Sequence, residues 1–270
     1  MITAAALCPS PPLLAREVTG RDPVVPELRQ ACAEAVGRLV RCEPDVIVIV
    51  GPAPVTARWP AGRRLDLSAF APHAASADMP DGAGAPEVAS AHHLASAASA
   101  LASDQPRPPD GHPPLPLPLG LGARLLDQAG YAGPRLLEAV GYDEPAAGCV
   151  ALGEQIAASG GRVGLLIMAD GSARRGPRAP GYLDERAAAF DAAVEDAVRD
   201  GDLGALLGID PVLAGELLAA GRPAWQVLAG AAPERPPGAE ILYSDDPFGV
   251  AYLVAWIPGQ GRRPGSDPRT

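Results

Sequence analysis

Asp45-Val46-Ile47-Val48-Ile49-Val50 runs directly into Gly51-Pro52-Ala53-Pro54. β-Branched residues occupy both alternating sets of positions, so neither face of this run suits water. That pattern predicts a central strand covered by helices on both sides, and the Gly-Pro pair predicts where it stops. A second run of the same kind, Arg162 to Met168, leads into Ala169-Asp170-Gly171-Ser172. A shorter one, Ile2 to Leu7, opens the chain.

Between these runs the spacing changes from two to three and four. Val25, Leu28, Cys32, Val36 and Leu39 predict an amphipathic helix over Val24 to Val40. Leu119 to Ala129, 146 to 158 and Leu183 to Arg199 predict three more, the last with Ala187, Phe190, Ala193, Val194, Ala197 and Val198 on one stripe. Asp210-Pro211 reads as an N-cap followed by proline in the first turn of a helix reaching about Ala220, with a further short helix over Ala224 to Leu228. Ile241 to Ser244 and Val250 to Trp256 predict two strands around an Asp245-Asp246 turn.

Strands separated by helices imply an α/β fold: one domain over residues 1–257 with a central, mostly parallel or mixed sheet flanked by helices. An Ala/Pro-rich excursion over about 71–118 interrupts it, with prolines at 106, 108, 109, 113, 114, 116 and 118. Residues 258–270 read as a flexible tail.

Composition narrows the chemistry. The chain has 270 residues and a formal net charge of −10, which opposes nucleic acid and anionic membrane as partners. All 22 basic residues are arginine, so Schiff-base lysines and phosphate-loop lysines are excluded. No apolar stretch approaches the roughly 18 residues of a membrane helix. Cys8, Cys32, Cys42 and Cys149 lack CxxC spacing, and a cytoplasmic protein with reduced thiols is the expectation.

Four polar loops follow the strands and should converge beyond the strand ends, where α/β sheets bind ligands. They are Cys8-Pro9-Ser10-Pro11-Pro12, Gly51-Pro52-Ala53-Pro54, Asp170-Gly171-Ser172-Ala173-Arg174-Arg175 and Tyr243-Ser244-Asp245-Asp246-Pro247-Phe248-Gly249. Together with Leu166-Ile167-Met168-Ala169-Asp170-Gly171-Ser172, Asp246-Pro247-Phe248-Gly249-Val250-Ala251-Tyr252 and Ala179-Pro180-Gly181-Tyr182, this frame resembles the class III extradiol ring-cleavage dioxygenases. The resemblance is to the family of their catalytic subunit, in a subgroup of high-GC bacteria, and reaches from the amino terminus to about Ile257.

Active members of that family hold iron(II) with two histidines and a carboxylate and use a further histidine as acid and base. The resemblance places the metal-ligand positions on Ser10, Ala53 and Asp245, and the acid-base position on Ala173. Serine is a poor iron(II) ligand and alanine is none, so neither a bound cofactor nor standard ring cleavage is expected. The four histidines, His73, His92, His93 and His112, lie in or beside the irregular stretch, at no ligand spacing.

Asp170 and Asp245 are therefore the candidate catalytic residues, with Cys8, Ser10, Ala53, Ser172 and Asp246 as candidate pocket-lining positions. Each has a bland counterpart: turn formation for Asp170 and Asp246, core packing for Cys8, pairing with Asp184 or Glu185 for Arg174 and Arg175. The expected function is a dioxygenase-like scaffold without its iron, binding a small molecule or a partner protein. The resemblance adds a homodimer or pairing with a different chain. Two rivals stand beside it: an oxidoreductase with a non-standard metal site built on Asp245 and a distant histidine, and a metal-free hydrolase or lyase using Asp170, Asp245 or Cys8.

Overall fold

The sheet has seven strands: β1 (Ile2–Cys8), β2 (Val46–Ala53), β3 (Ala57–Trp59), β4 (Arg135–Gly141), β5 (Val163–Met168), β6 (Glu240–Asp245) and β7 (Tyr252–Pro258). Their spatial order is β3-β4-β2-β5-β1-β7-β6. The structure is a computed structural model that describes residues 1–20, 24–61, 65–67, 70, 115–232 and 238–259. The histidines and all but the last four residues of the Ala/Pro-rich excursion lie outside those described residues, as does the tail beyond residue 259.

The inner strands β4, β2, β5 and β1 are parallel, while β3, on one edge, and β7 run antiparallel to their neighbours. β6 pairs antiparallel with β7 and so points the same way as β1. The sheet is mixed, as the sequence implies. Its two faces carry separate cores. Ala4, Ala6, Cys8, Ile47, Ile49, Leu166 and Met168 meet helices α2 (Pro26–Arg41) and α3 (Leu117–Gln128); a short α1 (Arg16–Thr19) precedes them. Ala5, Leu7, Val48, Val50, Leu165 and Ile167 meet α4 (Ala146–Ala158), α5 (Arg186–Asp200) and α7 (Arg222–Ala231), and α6 (Pro211–Glu216) lies between the last two in sequence. The alternation follows from the two-residue period of a strand, with each face buried under helices.

Handedness explains the layering. The chain moves from β1 through α2 to β2, and through α3 to β4, in one direction along the sheet, and both helices lie on one face. From β4 through α4 to β5 it turns back, and right-handed crossover then requires the opposite face. Helices α4 and α7 meet there almost backbone to backbone. A Cβ at Gly153 would run into the Val227 carbonyl and the Ala231 amide, so glycine is needed for this close approach. That contact sets the depth at which α7 carries Arg222 and Trp225 toward the strand ends.

Several boundaries differ from the sequence reading. Strand β2 continues through Gly51 and Pro52 to Ala53, pairing with Ala139, Val140 and Gly141 of β4. The missing Pro52 N–H faces the β5 side, where the β2–β5 ladder has already ended at Val50. No donor is lost there. Helix α3 begins at Leu117, inside the stretch read as excursion, because a proline at an N-terminal position has no hydrogen bond to lose. Helix α5 starts at Arg186 rather than Leu183, after Tyr182 takes a φ of 60°. Helix α6 stops at Glu216 instead of Ala220, while its Asp210 cap accepts from the Val212 N–H as expected. Helix α7 is longer than read, at Arg222–Ala231.

Strands β3 and β4 were not expected at all. Glu138 breaks the apolar pattern of β4, yet it is buried at 1% exposure. Its charge is met across the strands by Arg58 of β3, register partner of Glu138, with Nε 2.6 Å from Oε1. Burial pushes the Glu138 carboxyl up and Arg58 pulls it back. Removing one member of such a pair leaves an uncompensated buried charge. Arg58→Met should therefore lower unfolding free energy by about 3–5 kcal/mol in urea titrations, and the double variant Arg58→Met/Glu138→Leu should recover most of it.

Candidate functional site

Strand β5 leaves the sheet at Ala169–Asp170 toward the α4/α5/α7 face, whereas both of its neighbours, β1 and β2, lead to helices on the other face. Chain therefore diverges above the end of β5, the kind of place where α/β sheets bind ligands. Asp170 lies at that divergence, two residues past the last residue of β5. The Ser10 N–H donates to Asp170 Oδ1 and the Ser10 hydroxyl to Oδ2, both at 2.8 Å. Burial raises the Asp170 carboxyl above the ordinary range, and these two bonds oppose the rise.

Two tyrosines feel that carboxylate. Tyr252, 5% exposed at the start of β7, has its phenol pushed far up by burial and by Asp170. Tyr142, just past β4 and 48% exposed, is raised by partial burial and again by Asp170. The Tyr142 carbonyl accepts from Arg222 Nη2 at 2.6 Å, and Arg222 Nη1 donates to Gln226 Oε1 at 2.8 Å. The buried Arg222 thus ties α7 to the loop after β4, and the Gly221 N–H donates to the Asp170 carbonyl at 2.9 Å.

Beyond Asp170 the loop lies along the approach to β7. Gly171 N–H donates to Ala251 O, Ala251 N–H to Ser172 O and Arg175 N–H to Gly249 O, at 2.9, 2.8 and 3.0 Å. Side chains cannot intrude at Gly171, where a Cβ would meet Ala251 and the Asp191 carboxylate. Ser172, fully buried, repeats the Ser10 arrangement on a carboxylate from α5: its N–H donates to Asp191 Oδ1 at 2.9 Å and its hydroxyl to Oδ2 at 2.5 Å. Burial also raises the Asp191 carboxyl. Arg175 connects this second clamp to the hairpin, with Nε 2.8 Å from Asp246 Oδ2 and Nη1 3.8 Å from Asp191 Oδ2.

The structure brings some of the sequence-predicted residues together and separates others. Ser10 and Asp170 meet directly. Ser172 meets Asp191, and Asp246 meets Arg175. Cys8 is wholly buried on the α2 face beside Cys32, which together with burial pushes its thiol well up and makes it a poor nucleophile. Ala53 closes β2 with its methyl buried, and its carbonyl accepts from Tyr142 N–H at 2.9 Å. Ala173 is half-buried and held by backbone bonds to Leu217 and Gly181. Asp245 is exposed at the end of β6, where its Oδ1 accepts from Asp246 N–H.

A cleft of about 220 Å³ opens between α5 and the β6–β7 hairpin. Gly171, Asp245 and Asp246 line it; Cys8, Ser10, Ala53, Asp170 and Ser172 do not. The pairing expected for Arg175 with the start of α5 is replaced by Asp246 and Asp191, because the loop crosses to β7 before that helix begins. Asp184 is met instead by Arg186, 2.8 Å away, which with Arg174 holds its carboxyl down at about 2.

Sequence reasoning missed Asp191, Tyr142, Tyr252 and Arg222. For Asp191 a signal existed. It stands four residues after Ala187 and three before Val194, a carboxylate on the core-facing stripe of α5. A charge at such a position needs a buried partner. The other three owe their place to contacts between elements distant in sequence.

Asp170 gives a pH signature. A carboxyl raised in the fold binds its proton more tightly there than in the unfolded chain. Stability from this group is therefore highest at low pH and declines as pH rises from about 3.9 through the raised folded value. Asp170→Asn should remove this decline, so urea midpoints of the variant should gain on the parent protein between about pH 4 and pH 7. A constant difference across that range would contradict the raised carboxyl.

No protein-family model and no curated protein matches this sequence. Among solved structures, the fold is similar to the crystal structure of an uncharacterized protein, JW3007, from Escherichia coli K12. The TM-score is 0.53 with 14% identity, over 94% of this chain and 99% of that one. That likeness concerns the fold alone. It agrees with an α/β sheet flanked by helices, and among the described residues no helix is long and apolar enough to cross a membrane.

Proposed function

We propose that this chain is an extradiol-dioxygenase-like scaffold that binds a small molecule without an iron centre. The observation that carries the reading is the Ser10–Asp170 clamp. At the position the resemblance gives to a histidine ligand, backbone and hydroxyl both bond to a neighbouring loop's carboxylate, with donor distances of 2.8 Å. Protein hydrogen bonds hold the first and third loops together there.

The remaining positions fit iron(II) poorly. Ala53 offers a buried methyl, and a neutral serine hydroxyl is a weak ligand for iron(II) in place of an imidazole. β2 and β6 are four strands apart in the sheet, about 19 Å at a spacing of roughly 4.8 Å per strand, so Ala53 and Asp245 start far from each other.

A second reading, metal-free proton transfer by a hydrolase or lyase, is favoured by one feature. Asp170 combines a raised carboxyl with a half-exposed Tyr142 in its field, which is how acid-base groups are tuned. Turnover of ester or hydroxy-acid substrates that vanished in Asp170→Asn but persisted in Asp245→Asn would establish it.

Two measurements test the leading reading. After anaerobic incubation with ferrous ion and desalting, iron content should stay well below one per chain, and catechol should remain unopened; a full-occupancy, catechol-responsive iron centre would overturn the proposal. Ser10→Ala should cost about 1–3 kcal/mol of unfolding free energy, because it removes a hydroxyl donor from a carboxylate held away from water.

A further inference from the structure

Four large apolar side chains meet water around the loop that follows β5: Tyr182 at 74% exposure, Leu183 at 56%, and Leu218 and Phe248 at 46% each. They come from three segments, and contacts between those segments make one patch. Leu218, just past α6, packs against Gly181, where a Cβ would lie 2.7 Å from Leu218 Cδ1. The Tyr182 N–H donates to the Ala179 carbonyl at 2.9 Å and closes the turn that presents Tyr182. Gly249, in the hairpin beside Phe248, lies against Ala179 of that turn, with 2.5 Å from a Cβ there to the Ala179 Cβ. Leu218 and Phe248 therefore both border the Tyr182 turn.

The backbone supplies an independent observation. Among the described residues the non-glycine positions with positive φ are Glu43, Tyr182 and Leu218, and the last two, at 60° and 55°, stand in this patch. Leucine and tyrosine lack the short polar side chain that eases asparagine or aspartate into the left-handed region. Strained residues cluster at clamps and other working surfaces, and here they present apolar groups to solvent.

Area and charge point to the occupant. At roughly 200 Å² for a large apolar side chain, the four expose on the order of 400 Å². A stable interface takes about 800 Å² from each partner, somewhat more than half of it apolar, so the patch supplies about that apolar share. Its rim carries both signs. Arg178 and Glu185 flank Tyr182 in sequence, both are exposed, and neither has an ion-pair partner among the described residues. Such a patch is complementary to itself under a two-fold axis, since each copy offers its cation to the anion of the other. A wholly acidic or wholly basic partner would match one of the two charges and oppose the other.

We propose that Tyr182, Leu183, Leu218 and Phe248 form the contact between two copies of this chain, with the Arg178 side of each turned to the Glu185 side of the other. The inference goes beyond the binding reading above and requires neither the Ser10–Asp170 clamp nor any answer about iron.

Sedimentation equilibrium of the full chain over about 1–100 μM tests it, and the parent chain should fit a reversible monomer–dimer equilibrium in that range. Leu218→Gly removes apolar area and relieves the backbone together, so it should keep the parent circular dichroism spectrum and weaken association at least about tenfold. Arg178→Glu and Glu185→Arg should each weaken it about tenfold, because one reversal acts twice across a two-fold contact, and the two combined should restore parental association. A parent chain that stays monomeric at the top of the range would overturn the proposal and leave the patch to a different partner. Association untouched by Leu218→Gly, or a double reversal no tighter than either single one, would overturn it as well.

Discussion

Strand β5 is paired on both edges and covered on both faces, and every residue from Val163 to Met168 is buried. Such a strand has no freedom in register, because a slip by one residue would exchange its two cores. Its exit at Ala169–Asp170 is therefore fixed in space, and with it the carboxylate of Asp170. The loops on either side arrive from neighbours whose chains leave toward the opposite face. Whatever occupies the end of β5 must bridge that divergence. Here Ser10 does so by hydrogen bonding.

The same device appears twice along one loop. Asp170 is gripped by a serine N–H and hydroxyl from the first loop, and Asp191 by a serine N–H and hydroxyl from the third. In each case a carboxylate taken partly out of water receives two donors fixed by the backbone, which is the condition under which a buried charge is tolerated. Arg175 then links the second clamp to Asp246 in the hairpin turn. The result is a continuous polar seam from the end of β1 to the end of β6. It positions the cleft that α5, α7 and the hairpin enclose.

Much of this was legible in the residues. The β-branched run at 46–50 and the apolar run at 163–168 marked two central strands because only a doubly covered strand tolerates such patterns. Asp210-Pro211 announced its helix, and the cap is there. Asp170, singled out as a carboxylate at a strand end, does lie just past the end of β5. What failed to show was pairing at a distance. β4 hides its strand character behind Glu138, which makes sense only once Arg58 lies across from it. Arg175 looked like a partner for the start of α5, but the loop reaches β7 first.

Local chemistry alone thus determined the class of fold and the order of its principal strands and helices along the chain. These follow from side-chain period, turn residues and residue identity, all of which act over a few neighbours. Tertiary structure decided which carboxylates are held by which serines, that the acidic cleft opens beside the hairpin rather than over Ser10 and Ala53, and that Trp225 lines it. Those facts depend on strand order and helix depth, set by right-handed crossovers and by the glycine-mediated approach of α4 to α7, and no short window of sequence contains them.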